Sequence, residues 1–365
     1  MDGLPEVMTA VHLLGHGGLE NLVVRHDVPV PKIKTGEVLV RVGACGMNNT
    51  DINTRVGWYS KNLNTDSLIS KSDEIGGSGA WGSKGLFFPR IQGADLCGKV
   101  VATGTSVSSD LIGSRVLVDP CIRGSGNFLD FDQAKYLGSE RDGGFAEYCA
   151  VPLLNVYLIK SPLTDIELAS FPCSWSTAEY MLTRSNLSSG ETVLVTGASG
   201  GVGTALIQLA KLRGAWVVAI TQEEKAEMLV SLGVDQVINR NSEDLIGTIR
   251  KEVQQPVDVL ADVVGGDGLS SLVEVVRRGG RLVTAGAIDG PLVELDLRTF
   301  YLNDLSFYGC TVYESSIFET LIGYIEKNKI RPVVAGTFSL EDIHKAQEVF
   351  LEKRHVGSFV LMPVQ

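Results

Sequence analysis

VLVTGASGGVGTALIQLAK, residues Val193 to Lys211, joins an apolar run to a glycine-rich turn and then to a helical pattern. Val193 to Val195 reads as a buried strand. Val202, Leu206, Leu209 and Ala210 fall on one side of the helix that follows. Between them, small residues stand at Ala198, Gly200 and Gly203, the spacing of the dinucleotide-binding fingerprint with Ala in its first position. The first permits a tight turn, the second lets backbone approach a pyrophosphate, and the third lets helix and strand pack closely. The helix N-terminus adds N–H groups and a partial positive charge. Ala198, Ser199, Gly200, Gly201, Val202 and Gly203 are therefore candidate cofactor-binding residues. Such a turn can be purely structural, but its place between a clear strand and a clear helix points to a bound dinucleotide.

Outward from this unit, strands and helices alternate. The pattern predicts strands at 193–196, 216–220, 236–238, 257–261 and 281–285, and helices at 201–213, 223–232, 244–252 and 269–277. One helix over Asp165 to Thr183, capped by Thr164 or Asp165, precedes them. Strands rich in Val, Leu and Ile between amphipathic helices make a doubly wound α/β parallel sheet. An apolar strand at Leu305 to Val312, helices near 315–328 and 340–353, and a last strand at Ser358 to Met362 complete the chain. Residues 1 to about 160 read as mostly β. Glu37–Val42, Lys99–Ala102, Arg115–Val118 and Phe145–Val151 are short strands punctuated by glycines, as in a barrel-like domain. The Ser-, Asn- and Gly-rich stretch Lys61 to Leu86 breaks that pattern and is either a lid or a surface excursion.

The 365 residues suffice for two cores, and the formal charge is −11. That charge disfavours nucleic acid and acidic membranes as partners, since both want clustered Lys and Arg. MDGLPEVMTAVHLL carries Asp2 and no basic region before its apolar stretch, so no secretory signal is expected. No apolar run approaches the length of a membrane span. The six cysteines are scattered without a Cys-x-x-Cys pair, which fits a reduced, cytoplasmic setting. No histidine lies between Asp27 and Ile343, which removes most histidine-based designs from the middle of the chain.

The end of the 216–220 strand selects the dinucleotide. NAD-binding folds place an acid there to hold the ribose 2′-hydroxyl. This chain has Ala219, Ile220 and Thr221. Thr221 can donate to a 2′-phosphate, and Lys225 and Arg240 can supply charge, so NADPH is expected over NADH. The competing reading makes Thr221 and Glu224 a capping box and leaves Lys225 and Arg240 on a solvated surface. Glu223 and Glu224 also count against a phosphate.

Gly143-Gly144-Phe145-Ala146-Glu147-Tyr148, Asp262-Val263-Val264-Gly265-Gly266, Gly279-Gly280-Arg281-Leu282-Val283 and the closing Phe338 to Leu340, Ala346 and Gly357 join the glycine turn in a wider pattern. Together they resemble the medium-chain dehydrogenase/reductase superfamily, nearly end to end. Asn48-Asn49-Thr50-Asp51, then Arg55, Gly57 and Tyr59, is similar to its quinone oxidoreductase branch. The resemblance implies a GroES-like β-barrel catalytic domain, residues 1–162 and 314–365, and a Rossmann dinucleotide-binding domain, residues 163–313. Zinc-dependent relatives use a Cys, a His and a second Cys. Cys45 and Cys173 match the thiols, but Gly93-Ala94-Asp95 stands at the His motif, and Ala94 cannot ligate. Met47 stands at the relay position and cannot carry a proton. Only Cys121 lies between Cys97 and Cys149, so a four-cysteine structural site is absent. A zinc set of Cys45, Asp95 and Cys173 is one reading. Two buried thiols and an ordinary carboxylate, with no metal, is the favoured one.

Without a Lewis acid or a proton relay, a conjugated acceptor suits the site better than a simple ketone or alcohol. The expected activity is NADPH-dependent hydride transfer to small-molecule α,β-unsaturated carbonyls or quinones, with protein dipoles stabilising the charge on oxygen. The resemblance makes Asn48 the candidate donor near the carbonyl and Tyr59 the candidate for orientation or late protonation. A turn-forming Asn and a packing Tyr are the alternatives. It also places Thr177 near the nicotinamide, Ala285, Gly286 and Ala287 on the other side, and Val264 and Gly265 at the end of the fourth strand. Asp262 and Arg55 are expected to be structural. The Leu305–Val312 strand would pair with its copy in a homodimer. Two competing functions are a zinc alcohol dehydrogenase with the altered ligand set and an NADPH-binding protein without turnover.

Overall fold

The computed structural model describes residues 3–59, 85–123 and 134–363, so residues 61–84 of the stretch read as lid or excursion lie outside it. The chain divides into two compact units. One is Met1–Cys173 with Val334–Arg354 and Ser358–Gln365, and the other is Ser174–Val333 with His355–Gly357. This division departs from the expected boundaries, because residues 163–173 cluster with the first unit and 314–333 with the second. The second shift has a visible cause. The Gln208 amide donates to the Arg331 carbonyl at 2.8 Å and accepts from its N–H at 3.1 Å. This fastens the segment after the helix Ser315–Glu326 to the helix Gly201–Leu212. No helix among the described residues is long and apolar enough to cross a membrane.

The second unit is built on a six-stranded parallel sheet among the described residues. Its order is Gln236–Asn239, Trp216–Thr221, Thr192–Val195, Val257–Asp262, Val276–Thr284 and Ser306–Gly309. The chain grows one way from Thr192–Val195 and then the other, so the switch point lies beside the glycine turn. Val193, Leu194, Val195, Val218 and Leu260 are fully buried because both faces of the sheet are covered. The Gly201–Leu212 helix is buried more widely than its expected stripe, at Thr204, Ala205 and Ile207 as well as Leu206, Leu209 and Ala210, while Val202 is only half-buried. The single helix expected over 165–183 is two, Asp165–Leu168 and Pro172–Arg184. Thr164 caps the first in a reciprocal box with Glu167, and Pro172, with no N–H to give, opens the second. The helix expected to reach 277 stops at Val273. The next strand begins at Val276 and runs through Gly279 and Gly280 with a register irregularity.

The first unit is organised on the strand Glu37–Met47, which pairs antiparallel with Asp95–Thr103, Tyr148–Pro152 and Ser358–Met362. Neighbours on both sides bury it, so the expected alternation is lost and only Arg41 is exposed. Val38, Val40, Leu96, Val100, Val116, Phe145, Val151 and Phe359 belong to one core around it. At its carboxyl end Gly46 sits opposite Asp95, and the chain then turns through Asn48 into the helix Asn49–Val56. That turn delivers the polar residues of the site.

Candidate functional site

In the second unit, Gly197 rather than Ala198 takes the left-handed conformation of the turn, at φ +56°. A Cβ on Gly203 would stand 2.3 Å from the Gly197 carbonyl oxygen, so only glycine lets the helix start this close to the strand. A Cβ on Gly200 would meet nothing nearer than 3.5 Å, leaving that side of the turn open for a bulky anion. Gly200 caps the Gly201–Leu212 helix and has no side chain to bond there, and among the described residues no side chain accepts from the N–H groups of Gly201, Val202 or Gly203. The Ser199 carbonyl accepts the Gly357 N–H at 2.9 Å, a partner for the turn that the local pattern did not reveal.

Thr221 is buried at the end of its strand and does not cap a helix. Gln222 precedes the short turn Glu223–Lys225, and the Thr221 carbonyl accepts the Arg240 N–H at 2.8 Å. Lys225 is buried too, with Nζ 3.4 Å from Ser199 Oγ. Its pKa is lowered by burial and then by Arg240, with Glu224 opposing. Ser199, Thr221, Lys225 and Arg240 thus form a cation-rich corner beside the turn. Asp262 is structural as expected, accepting Thr196 Oγ1 at 2.6 Å, the Val264 N–H at 3.2 Å and the Gly265 N–H at 3.0 Å. Val264 and Gly265 lie against the 285–289 segment. The Val264 carbonyl accepts the Asp289 N–H at 2.8 Å, and a Cβ on Gly265 would be 3.0 Å from Ala287 Cβ. Ala285 donates to the Asp262 carbonyl at 3.3 Å, and the Gly286 carbonyl accepts Thr284 Oγ1 at 3.2 Å. Thr177 is half-buried on the Pro172–Arg184 helix, and among the described residues no side-chain hydrogen bond joins it to this group.

In the first unit, Asn48, Asp51 and Asp95 are buried together. Asn48 Nδ2 donates to Asp95 Oδ2 at 2.9 Å, and Asp95 Oδ1 accepts the Cys173 N–H at 2.7 Å. Asp51 reaches back to the Asn48 N–H at 2.8 Å and across to the Gly93 N–H at 3.2 Å, while Gln92 Nε2 donates to the Asp51 carbonyl at 2.8 Å. Asp51 and Gln92 are not among the expected site residues, although the Asn48-x-x-Asp51 spacing of a helix cap is a readable signal. Burial pushes Asp51 up to about 7, with the two N–H bonds opposing. Burial also raises Asp95 well above the usual carboxylate range, its bonds to Asn48 and Cys173 opposing and Asp51 adding to the rise. Tyr59 Oη lies 3.2 Å from Thr50 Oγ1 and accepts from Asn53 Nδ2 at 3.4 Å, and burial pushes its pKa up to about 12. Arg55 turns away to Gln347 Oε1 and the Gly17 carbonyl, a structural tie.

These residues do not fit zinc. Ala94 offers no ligand, and both Asp95 oxygens are engaged by N–H groups. Cys45 Sγ is hemmed in by Gly93 and Gly144, where even a Cβ would come within 2.8 Å of it. Among the described residues no group of three or more His, Cys, Asp or Glu side chains is arranged to hold a metal ion.

Residues 34–161 match the family model of the alcohol dehydrogenase GroES-like domain, and residues 201–327 match that of zinc-binding dehydrogenase. The crystal structure of a putative alcohol dehydrogenase from Sinorhizobium meliloti 1021 covers 100% of this chain and 99% of its own, at 45% identity and a TM-score of 0.91. An acryloyl-coenzyme A reductase of Metallosphaera sedula is 30% identical over 97% of this chain and 99% of its own. An NAD-dependent alcohol dehydrogenase of Sulfurisphaera tokodaii is 28% identical over 92% of this chain and 95% of its own. A human quinone oxidoreductase is 27% identical over 94% of each.

Proposed function

This chain belongs to the medium-chain dehydrogenase/reductase superfamily, and from that premise we propose that it is an NADPH-dependent oxidoreductase that adds hydride to α,β-unsaturated carbonyls or quinones without a catalytic metal. One arrangement carries the reading. Beside Ala94, Asp95 holds the Asn48 amide at 2.9 Å, so an oriented hydrogen-bond donor stands where the resemblance places a zinc motif. The names of the M. sedula and human relatives, a reductase of an unsaturated thioester and a quinone oxidoreductase, support conjugated acceptors.

NADPH, when bound, supplies the hydride. The chain's own residues govern the oxygen and the proton. Asn48, turned by Asp95, donates an amide N–H to the acceptor oxygen as charge builds there. Tyr59 stays protonated up to about pH 12 and so keeps a proton to give to the enolate. Asn53, donating to Tyr59 Oη, fixes the phenol while leaving its proton for transfer. The cation-rich corner of Ser199, Thr221, Lys225 and Arg240, with no acid at the strand end, supports NADPH over NADH. Ala198 to Gly203 would hold the pyrophosphate, and Thr177, Val264, Gly265, Ala285, Gly286 and Ala287 would line the nicotinamide.

Among the described residues Ser306–Gly309 is paired on one side only, with Val276–Thr284, and Phe307 on it is 40% exposed. An uncovered apolar edge invites a second copy, which supports a homodimer. Light scattering on a sizing column tests this, and a monomer at working concentration would overturn it.

The activity is tested by following NADPH oxidation over enones, quinones, simple ketones and alcohols, with metal analysis on the same sample. Turnover of the conjugated acceptors alone, untouched by a chelator, is expected. Stoichiometric zinc with chelator-sensitive alcohol oxidation would refute the reading.

A further inference from the structure

A concavity of about 360 Å³ in the first unit shares no residue with the Asn48–Asp95 cluster, and the proposed reaction makes no use of it. Its walls bring Lys32, Lys34, Arg90, Lys135 and Arg141 together in a chain whose net charge is −11. The carboxylates in the same walls are already engaged. Glu37 accepts from Arg141 Nη2 at 2.9 Å and from the Lys34 N–H at 2.9 Å. Asp142 accepts from Arg90 Nη1 at 2.7 Å and from the Ile91 N–H at 3.0 Å. Glu140 accepts the Tyr136 N–H at 2.8 Å. The two arginines are thereby paired, Lys34 acts on Glu37 only at longer range, and among the described residues no carboxylate lies within ion-pair distance of Lys32, Lys34 or Lys135. Arg90 Nε is buried with no hydrogen-bond partner. Five cationic side chains against three carboxylates leave these walls with a net positive charge, which favours an anion in the hollow. Ile91, Ile122 and Tyr148 add apolar surface to the same walls.

We propose that this cleft binds a phosphorylated small molecule. Lys32, Lys34 and Lys135 hold the phosphoryl group, and Ile91, Ile122 and Tyr148 carry the body of the ligand. A phosphoryl group offers several acceptor oxygens and a charge near −2, which suits ammonium donors arriving from separate segments. The hollow is far larger than a bare phosphate, so the apolar part of the wall needs an organic body to cover it.

The test is calorimetric titration of the NADPH-saturated protein with phenyl phosphate, inorganic phosphate and phenol. NADPH keeps its own phosphate-binding residues occupied throughout. Phenyl phosphate should bind more tightly than inorganic phosphate, and phenol should not bind. In the K32Q/K34Q/K135Q variant both phosphates should bind about tenfold more weakly or worse. All three lysines are exposed, so thermal melting and NADPH affinity should not change, and those two readouts keep a folding defect apart from a lost site. Undiminished phosphate binding in the triple variant, or none in the unaltered protein, would overturn the proposal. Equal affinity for phenyl phosphate and inorganic phosphate would overturn the role given to Ile91, Ile122 and Tyr148.

Discussion

Lys225→Ala removes the buried cation beside the glycine turn. Its Nζ is 3.4 Å from Ser199 Oγ, and burial and Arg240 both work against its charge. A 2′-phosphate at this corner would reverse both effects, since it brings opposite charge to a half-desolvated ammonium. A Coulomb estimate at about 4 Å with an effective dielectric of about 20 sets a ceiling near 4 kcal/mol. A hydrogen bond to a charged group contributes about 1.5–3 kcal/mol net. Taking about 2 kcal/mol, the variant should bind NADPH about 30-fold more weakly. NADH has no 2′-phosphate, so its affinity should hold or rise slightly. Fluorescence titrations of both nucleotides with the unaltered protein, Lys225→Ala, Arg240→Ala and the double variant measure this. The two single losses should not add, because both cations serve one phosphate. The NADPH preference should also shrink as salt is raised. Equal weakening of NADH and NADPH would mean that Lys225 only braces Ser199, and the argument for NADPH would fail.

Asn48→Ala should lower turnover by roughly 100-fold, the loss typical of one oxyanion donor, with NADPH affinity unchanged. Comparable kcat in the variant would remove Asn48 from the chemistry. Gly203→Ala puts a Cβ 2.3 Å from the Gly197 oxygen and should cost about 1–3 kcal/mol in a denaturant melt while weakening nucleotide binding. A neutral melt would show that the turn can yield. Asp51 titrates at about 7 in the fold against 3.8 for an ordinary Asp, so between those values the folded chain holds a proton that the unfolded chain has lost. Its contribution to stability therefore falls as pH rises from about 4 to about 7 and levels off above, a span of order 4 kcal/mol. Asp51→Asn should flatten that part of the stability–pH curve, and parallel curves for the two proteins would contradict the shift.

The alternation from Val193 onward was legible because doubly covered strands and one-sided helices leave different periods in the chain. The failures have physical sources. Apolar residues at Leu168, Phe171 and Trp175 carry a helical period across the break at 169–171, after which Pro172, with no N–H to give, opens a new helix. The strand expected from 281 begins already at Val276 and takes in Gly279 and Gly280, where Gly279 has a left-handed conformation at φ +71°. Residues 314–333 are fastened at Arg331 by Gln208, a tertiary contact with no local trace. Ser199, Thr221, Lys225 and Arg240 were readable because successive strands of a parallel sheet end side by side. In the sequence Asp95 reads as either a zinc ligand or an ordinary hydrogen-bonded carboxylate. Its partners lie 47 and 78 residues away, at Asn48 and at the Cys173 backbone, beyond any local pattern.

Those partners explain how the site can lack a ligand at position 94 and still be ordered. Asp95 ties three segments: its own strand, the turn before Asn49–Val56, and the first residues of Pro172–Arg184. Two N–H bonds favour its charged form against a strong burial penalty. What results is a fixed neutral dipole, the Asn48 amide, rather than a positive ion. Such a donor contributes about 3–4 kcal/mol toward a developing oxyanion. An alkoxide from a simple ketone concentrates its charge on one oxygen and needs more than that. An enolate or hydroquinone anion spreads its charge over a conjugated system and needs less. In the proposed reaction the modest strength of the donor is therefore what selects the substrate class.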